Sequence, residues 1–121
     1  MINERAKAIL KFCFVETPME QWFKKDKDFD YTLKNNFMED YKKAINDEFD
    51  SWKNNPEECV ALIMLLDQFS RNFFRYNTKA YEQDKKSRII VKEAVSKKFL
   101  SKLNMDKIHF LLLPLIHSEH I

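Results

Sequence analysis

The chain has 121 residues, 45% of them hydrophobic and 33% charged, with 21 basic and 19 acidic side chains giving a formal charge of +2. That balance fits one folded domain with a single core and excludes a disordered chain; with no Lys/Arg stripe clear of acids, it also predicts no nucleic-acid partner. Glycine is absent altogether, which excludes the Gly-rich loops of P-loop and dinucleotide-binding proteins and disfavours tight two-residue hairpins.

Cys13 and Cys59 are too few and too far apart for a disulfide framework, so both are expected to be reduced core thiols. The first segment is interrupted by Glu4, Arg5, Lys7 and Lys11 and lacks the apolar stretch of a secretion signal. Apolar runs at 60–66 and 110–116 fall well short of the ~20 residues that span a bilayer. A cytoplasmic location without membrane contact is the expectation.

Taken in chain order, the periodicity is helical throughout. Asn3 is placed to cap a first helix running to about Phe14, with Glu4 at the positive end of its dipole. Pro18 marks a break. Phe29, Leu33, Phe37, Tyr41, Ala44, Ile45, Phe49 and Trp52 then recur at three- and four-residue steps and predict one long second helix. In "NNPEE" (54–58), Asn55 suits the cap, Pro56 the first helical position, and Glu57 with Glu58 the dipole. The third helix that follows is apolar on every face from Val60 to Leu66, the mark of a helix covered on all sides. A fourth is expected from Asn77 or Thr78 to about Lys98. A fifth opens at Asn104 or Asp106, and Pro114 should kink or end it. Asparagines are expected to take the helix-ending role usually given to glycine. The fold class is therefore all-α: one domain over 1–121, with antiparallel helix pairs around a buried central helix, in the manner of a tetratricopeptide-like helical array.

The chemistry concentrates in "LLDQFSRNFFR" (65–75), where Asp67, Gln68, Arg71, Asn72 and Arg75 follow directly on the apolar run. Asp67, Arg71 and Arg75 are spaced i, i+4, i+8 and share one face if the helix persists. That face is the core-facing one, so these charges need partners or a ligand. Either they form a structural ion-pair and amide network, or Arg71 and Arg75 hold an anionic group that Asp67 orients. Asp84 lies on the apolar side of the fourth helix and wants a cation, with Arg71 or Arg75 the obvious candidates. "HSEH" (117–120) sets His117 and His120 three apart, too small a cluster to predict a metal site. His117 and Glu119 are better placed to join the Asp/Arg network, His117 as an acid-base group. "KKDKDFD" (24–30) is the densest charge run and cancels itself along the sequence. Trp22 and Phe23 beside it are expected to pin a loop to the core.

Five stretches in order, "ILKFCFVE" (9–16), "WFKKDKDFD" (22–30), "LLDQFSRNFFR" (65–75), "KAYEQD" (79–84) and "FLLLPLIHSE" (110–119), closely resemble an uncharacterised bacterial domain-of-unknown-function family numbered 924. The resemblance implies a tetratricopeptide-like helical fold and a recurring polar set that Asp26, Asp30, Asp67, Gln68, Arg71, Asn72, Arg75, Asp84, His117, Ser118 and Glu119 match. It implies no reaction, substrate or cofactor. Three positions depart from the pattern: Cys13 for a Trp, Ser70 for a Pro, and Tyr76 where Gly is usual. Family members look longer, so the resemblance implies the N-terminal part of a larger family domain.

Three functions remain open. The first is a binding or interaction module with a polar pocket at the end of the central helix, formed by Asp67, Gln68, Arg71, Asn72, Arg75, Asp84, His117 and Glu119. The second is a hydrolase or transferase using an Asp/Arg/His site on a small anionic substrate. The third is a truncated remnant without independent function. The expected partners are a small anionic ligand or a protein or peptide, or else self-association or association with a missing C-terminal part. No cofactor or metal is implied.

Overall fold

Asparagine and aspartate side chains set the helix starts. In the computed structural model, which describes residues 2–118 and the last two of these by their backbone alone, Asn3 Oδ1 accepts from the Arg5 and Ala6 amides at 2.8 and 3.4 Å and starts α1 (Glu4–Lys11). Asp26 Oδ1 accepts from the Asp28 and Phe29 amides, both at 3.1 Å, at the head of α2 (Lys27–Ile45). Asn55 caps α3 (Pro56–Ile63) through the Glu58 amide at 3.0 Å, with Pro56 where its missing N–H costs nothing. Asn104 accepts from the Lys107 amide at 3.0 Å at the start of α6 (Met105–Ser118).

The third helix does not stop at Ile63. It continues through a π-helical stretch, Met64–Phe69, into a last α-turn, α4 (Ser70–Phe73). This rod is the centre of the molecule. α1, α5 (Asp84–Ser96) and α6 pack on α3, and α2 packs on the π stretch and α4. Val60, Leu65, Leu66 and Phe69 are wholly buried, as an all-apolar helix requires. The buried residues join in one cluster, and no β-strand occurs among the described residues. All-α is the fold class.

Aromatic packing ties the first loop to this rod. Trp22 stacks on Phe69 at 5.7 Å between ring centroids and donates from Nε1 to the Cys13 carbonyl at 3.3 Å. Its neighbour Phe23 is 64% exposed, so of the two rings expected to pin the loop, Trp22 alone is buried.

Several boundaries differ from the sequence expectation. The long second helix ends at Ile45, not Trp52. Asp47 then takes a left-handed φ of 65°, and Asp50–Asn54 form a 3₁₀ turn. Phe49 and Trp52 fit that turn because residues three apart eclipse there: their rings stack at 4.0 Å and 7°. The expected fourth helix divides into a 3₁₀ turn, Thr78–Tyr81, and α5. Pro114 neither ends nor bounds α6, which runs through it. Nor do asparagines replace glycine at left-handed positions. Asn46 closes α2 at φ −95°, and the positive φ values fall on Asp47, Tyr76 and Lys98. Asparagine serves here chiefly at helix starts.

Candidate ligand-binding site

The two arginines of the polar stretch point to different partners. Arg71 Nη1 reaches Asp67 Oδ1 at 2.7 Å, one helical turn back, as the i, i+4 spacing anticipates. The same guanidinium meets Asp84 on α5 with Nη1 and Nη2, both at 3.2 Å, and lies over the Tyr81 ring at 5.3 Å. Asp67 is 1% exposed. This cluster joins the central rod to α5, and its guanidinium is shared between two carboxylates.

Arg75 does not share that face. The helix ends at Phe73, and Phe74 leaves it at φ −123°, ψ 41°, so the i, i+8 relation with Asp67 fails. Arg75 instead grips Asp30 on α2 with Nε and Nη2 at 2.9 and 3.1 Å, and Nη2 also donates to the Lys24 carbonyl at 3.3 Å. The Asp30 carboxylate raises the Arg75 pKa further, against the opposing effect of burial. Asn72 Nδ2 donates to Asp30 Oδ1 at 2.8 Å, and Gln68 Nε2 donates to Asn72 Oδ1 at 2.9 Å and to the Trp22 carbonyl at 3.5 Å. Gln68, Asn72 and Arg75 thus form one relay from the buried Trp22 loop to the surface. Of the eight candidates, six are placed in these two groups; the His117 side chain and Glu119 lie outside the described residues.

The Arg75 group opens onto a cleft of about 250 Å³ between α2 and the end of the rod, lined by Lys27, Asp30, Tyr31, Lys34, Asn72, Phe73 and Arg75. Lys27, Tyr31 and Lys34 come together because they are four and seven positions apart on α2. Neither lysine forms an ion pair among the described residues. The acids of "KKDKDFD" are turned to other uses. Asp26 is spent on the helix cap and on Gln21 Nε2 at 3.2 Å, which lowers its pKa, the backbone hydrogen bond from Phe29 being the main cause. With Asp28 it lines a separate cleft of about 370 Å³ beside Phe12, Gln21 and Thr32. Asp30 is consumed by Arg75. A run that cancels along the sequence is therefore sorted in space, because successive helical positions 100° apart face different clefts.

Lys27, Tyr31 and Lys34 were not legible as site residues. For Lys27 the one signal was the run, whose cancellation hides the sorting; Tyr31 and Lys34 lie beyond it. Among the described residues no group of three or more His, Cys, Asp or Glu is placed to hold a metal, and no helix is long and apolar enough to cross a membrane. Burial pushes the thiols up, Cys13 well above the usual range and Cys59 to about 12, so neither is an activated nucleophile.

Residues 9–121 match the family described as bacterial protein of unknown function, DUF924. The chain belongs to this family. The solved structure of a protein of unknown function from Agrobacterium tumefaciens, ATU0120, is similar to it, with a TM-score of 0.86 and 32% identity over 91% of this chain. The match spans 62% of that protein's length. No curated protein matches. The description of the DUF924 family carries no activity.

Proposed function

We propose that this DUF924 chain is a binding module that takes a small anionic group in the cleft between α2 and the end of the central rod. One observation carries the reading: Lys27, Lys34 and Arg75 line the cleft against a single acid, Asp30, leaving an excess of two positive charges. A concave site of one sign concentrates counter-ions and speeds their capture. Arg75 Nη1 makes no hydrogen bond among the described residues while the other nitrogens fix the side chain on Asp30, so it supports a pre-oriented donor.

The hydrolase or transferase reading has less support, because Arg71 is already divided between Asp67 and Asp84 and the Asp67 carboxylate is sealed from solvent. The packing of helices around one rod is compatible with a tetratricopeptide-like array in the cytoplasm, and the binding reading needs neither.

Heteronuclear NMR titration of the chain with inorganic phosphate tests the proposal. Saturable shifts at Lys27, Lys34 and Arg75 are expected, weakened about tenfold in Lys34→Gln. Shifts that do not saturate, or that map elsewhere, would refute it.

A further inference from the structure

A bare anion would need the cations of the cleft and nothing more, yet its wall is aromatic. Tyr31 is 67% exposed and stands between Lys27 and Lys34 on the same helical face. The pattern continues past the rim. Lys34 Nζ lies 5.8 Å from the centre of the Phe74 ring and Lys79 Nζ lies 5.0 Å from it. Beside Arg75, Lys25 Nζ sits 5.3 Å from the ring centre of Tyr76, which is 83% exposed. Ammonium groups and rings therefore meet across four segments of chain: the residues just before α2, α2 itself, the turn after α4, and the 3₁₀ turn at Thr78–Tyr81. Cations set beside rings, with the exposed Tyr31 ring between two lysines, match a ligand whose phosphate and flat base must be held side by side.

We infer that the cleft binds a nucleotide unit, with its phosphate on Lys34 and Arg75 and its base against the Tyr31 ring; this rests on the anion-binding reading above. Phosphate fits better than a carboxylate. Arg75 has committed its two-pronged edge to Asp30, so what remains is one guanidinium nitrogen and two ammonium point charges, which suit a phosphate's three oxygens more than a planar carboxylate. Stacking on Tyr31 is tolerant of base identity, because every base offers a π-face. The balance of 21 basic and 19 acidic residues along the chain predicts no nucleic-acid partner, yet in the fold Lys27 faces this cleft while Asp26 and Asp28 line another.

A nucleotide unit can come as a free mononucleotide or as part of a single strand, and one titration series separates the two. The full chain is titrated with inorganic phosphate, adenosine monophosphate and a short single-stranded oligothymidine. Adenosine monophosphate is expected to bind about 5- to 150-fold more tightly than phosphate, the range that one base–ring stack supplies. Tyr31→Ala, and Tyr31→Leu, which keeps bulk without a π-face, should both bring the ratio of mononucleotide to phosphate affinity down to about one. Lys34→Gln should weaken all three ligands. Tighter binding of the oligonucleotide than of the mononucleotide supports the inference with a strand as the source, and equal binding supports it with a free nucleotide. Phosphate binding without a nucleotide advantage, or an advantage that survives in the Tyr31 variants, overturns the inference and leaves the anion reading standing. Failure of all three ligands to bind overturns both.

Discussion

Arg71 and Arg75 lie four residues apart, carry the same group and each engage carboxylates, yet they occupy opposite kinds of environment. Arg71 is shared by Asp67 and Asp84 in a cluster that seals the rod against α5. Arg75 holds Asp30 at the edge of an open cleft with two further lysines that form no ion pair among the described residues. Charge balance separates them: one guanidinium against two carboxylates on the closed side, three cations against one carboxylate on the open side. A closed, acid-rich cluster is bracing. An open, cation-rich one is a place for a ligand.

The largest effect expected from this contrast is on stability. Arg71→Ala deprives the buried Asp67 carboxylate of its guanidinium and should cost about 3 kcal/mol, as breaking a buried pair does. Arg75→Ala, at a more exposed pair, should cost only about 1 kcal/mol. Urea unfolding of the two variants checks this, and equal losses would erase the distinction between brace and site.

Alkaline titration comes next and probes how tightly the interior of the rod is closed. Cys13 and Cys59 stay protonated in the folded chain far above the ordinary thiol value of 9.0, Cys59 to about 12, because burial penalises the thiolate. Unfolded, both ionise near 9. Their contribution to stability is therefore whole below pH 9 and is lost as pH rises toward 12. At pH 8 the folded chain should react with a thiol-directed disulfide reagent only after denaturant is added; prompt reaction would mean the core opens easily.

The smallest effect lies at the rim. Tyr76 holds φ 66°, a left-handed conformation that costs a side-chain-bearing residue roughly 1–2 kcal/mol and glycine almost nothing. Glycine loses more backbone entropy on folding, so Tyr76→Gly should gain only about 0.5 kcal/mol. A rise in melting temperature of a few degrees, with phosphate affinity unchanged, would sharpen the view that the loop geometry is separate from the anion site. The family resemblance already marks position 76 as one where Gly is usual, and the backbone supplies the reason.

Much of the fold was legible because its signals are local. Asn3 and Asn55 announce helix starts through hydrogen bonds that span three residues at most, Pro56 through its missing N–H, and the all-apolar stretch from Val60 to Leu66 announces a central helix by having no face fit for water. Where signals competed, the periodicity misled. Phe49 and Trp52 continue the stripe of α2 in sequence, but the helix ends first and Asp47 takes a left-handed φ. The Asp67–Arg71 pair was readable for the same local reason, as one turn of helix joins its members.

Sequence by itself determined the all-α class, the central helix, the caps and the concentration of polar groups after Leu66, because each depends on residues within a few positions of one another. Tertiary structure alone decided that, of the two arginines expected for Asp84, Arg71 would take it while Arg75 would turn to Asp30, 45 positions away. It also decided that Lys27 of a self-cancelling run would share a cleft with Lys34 and Arg75, and that two of the run's three acids would line another. The physical reason is that electrostatic character belongs to a surface, and a surface is assembled from whichever side chains helix rotation and packing bring to it.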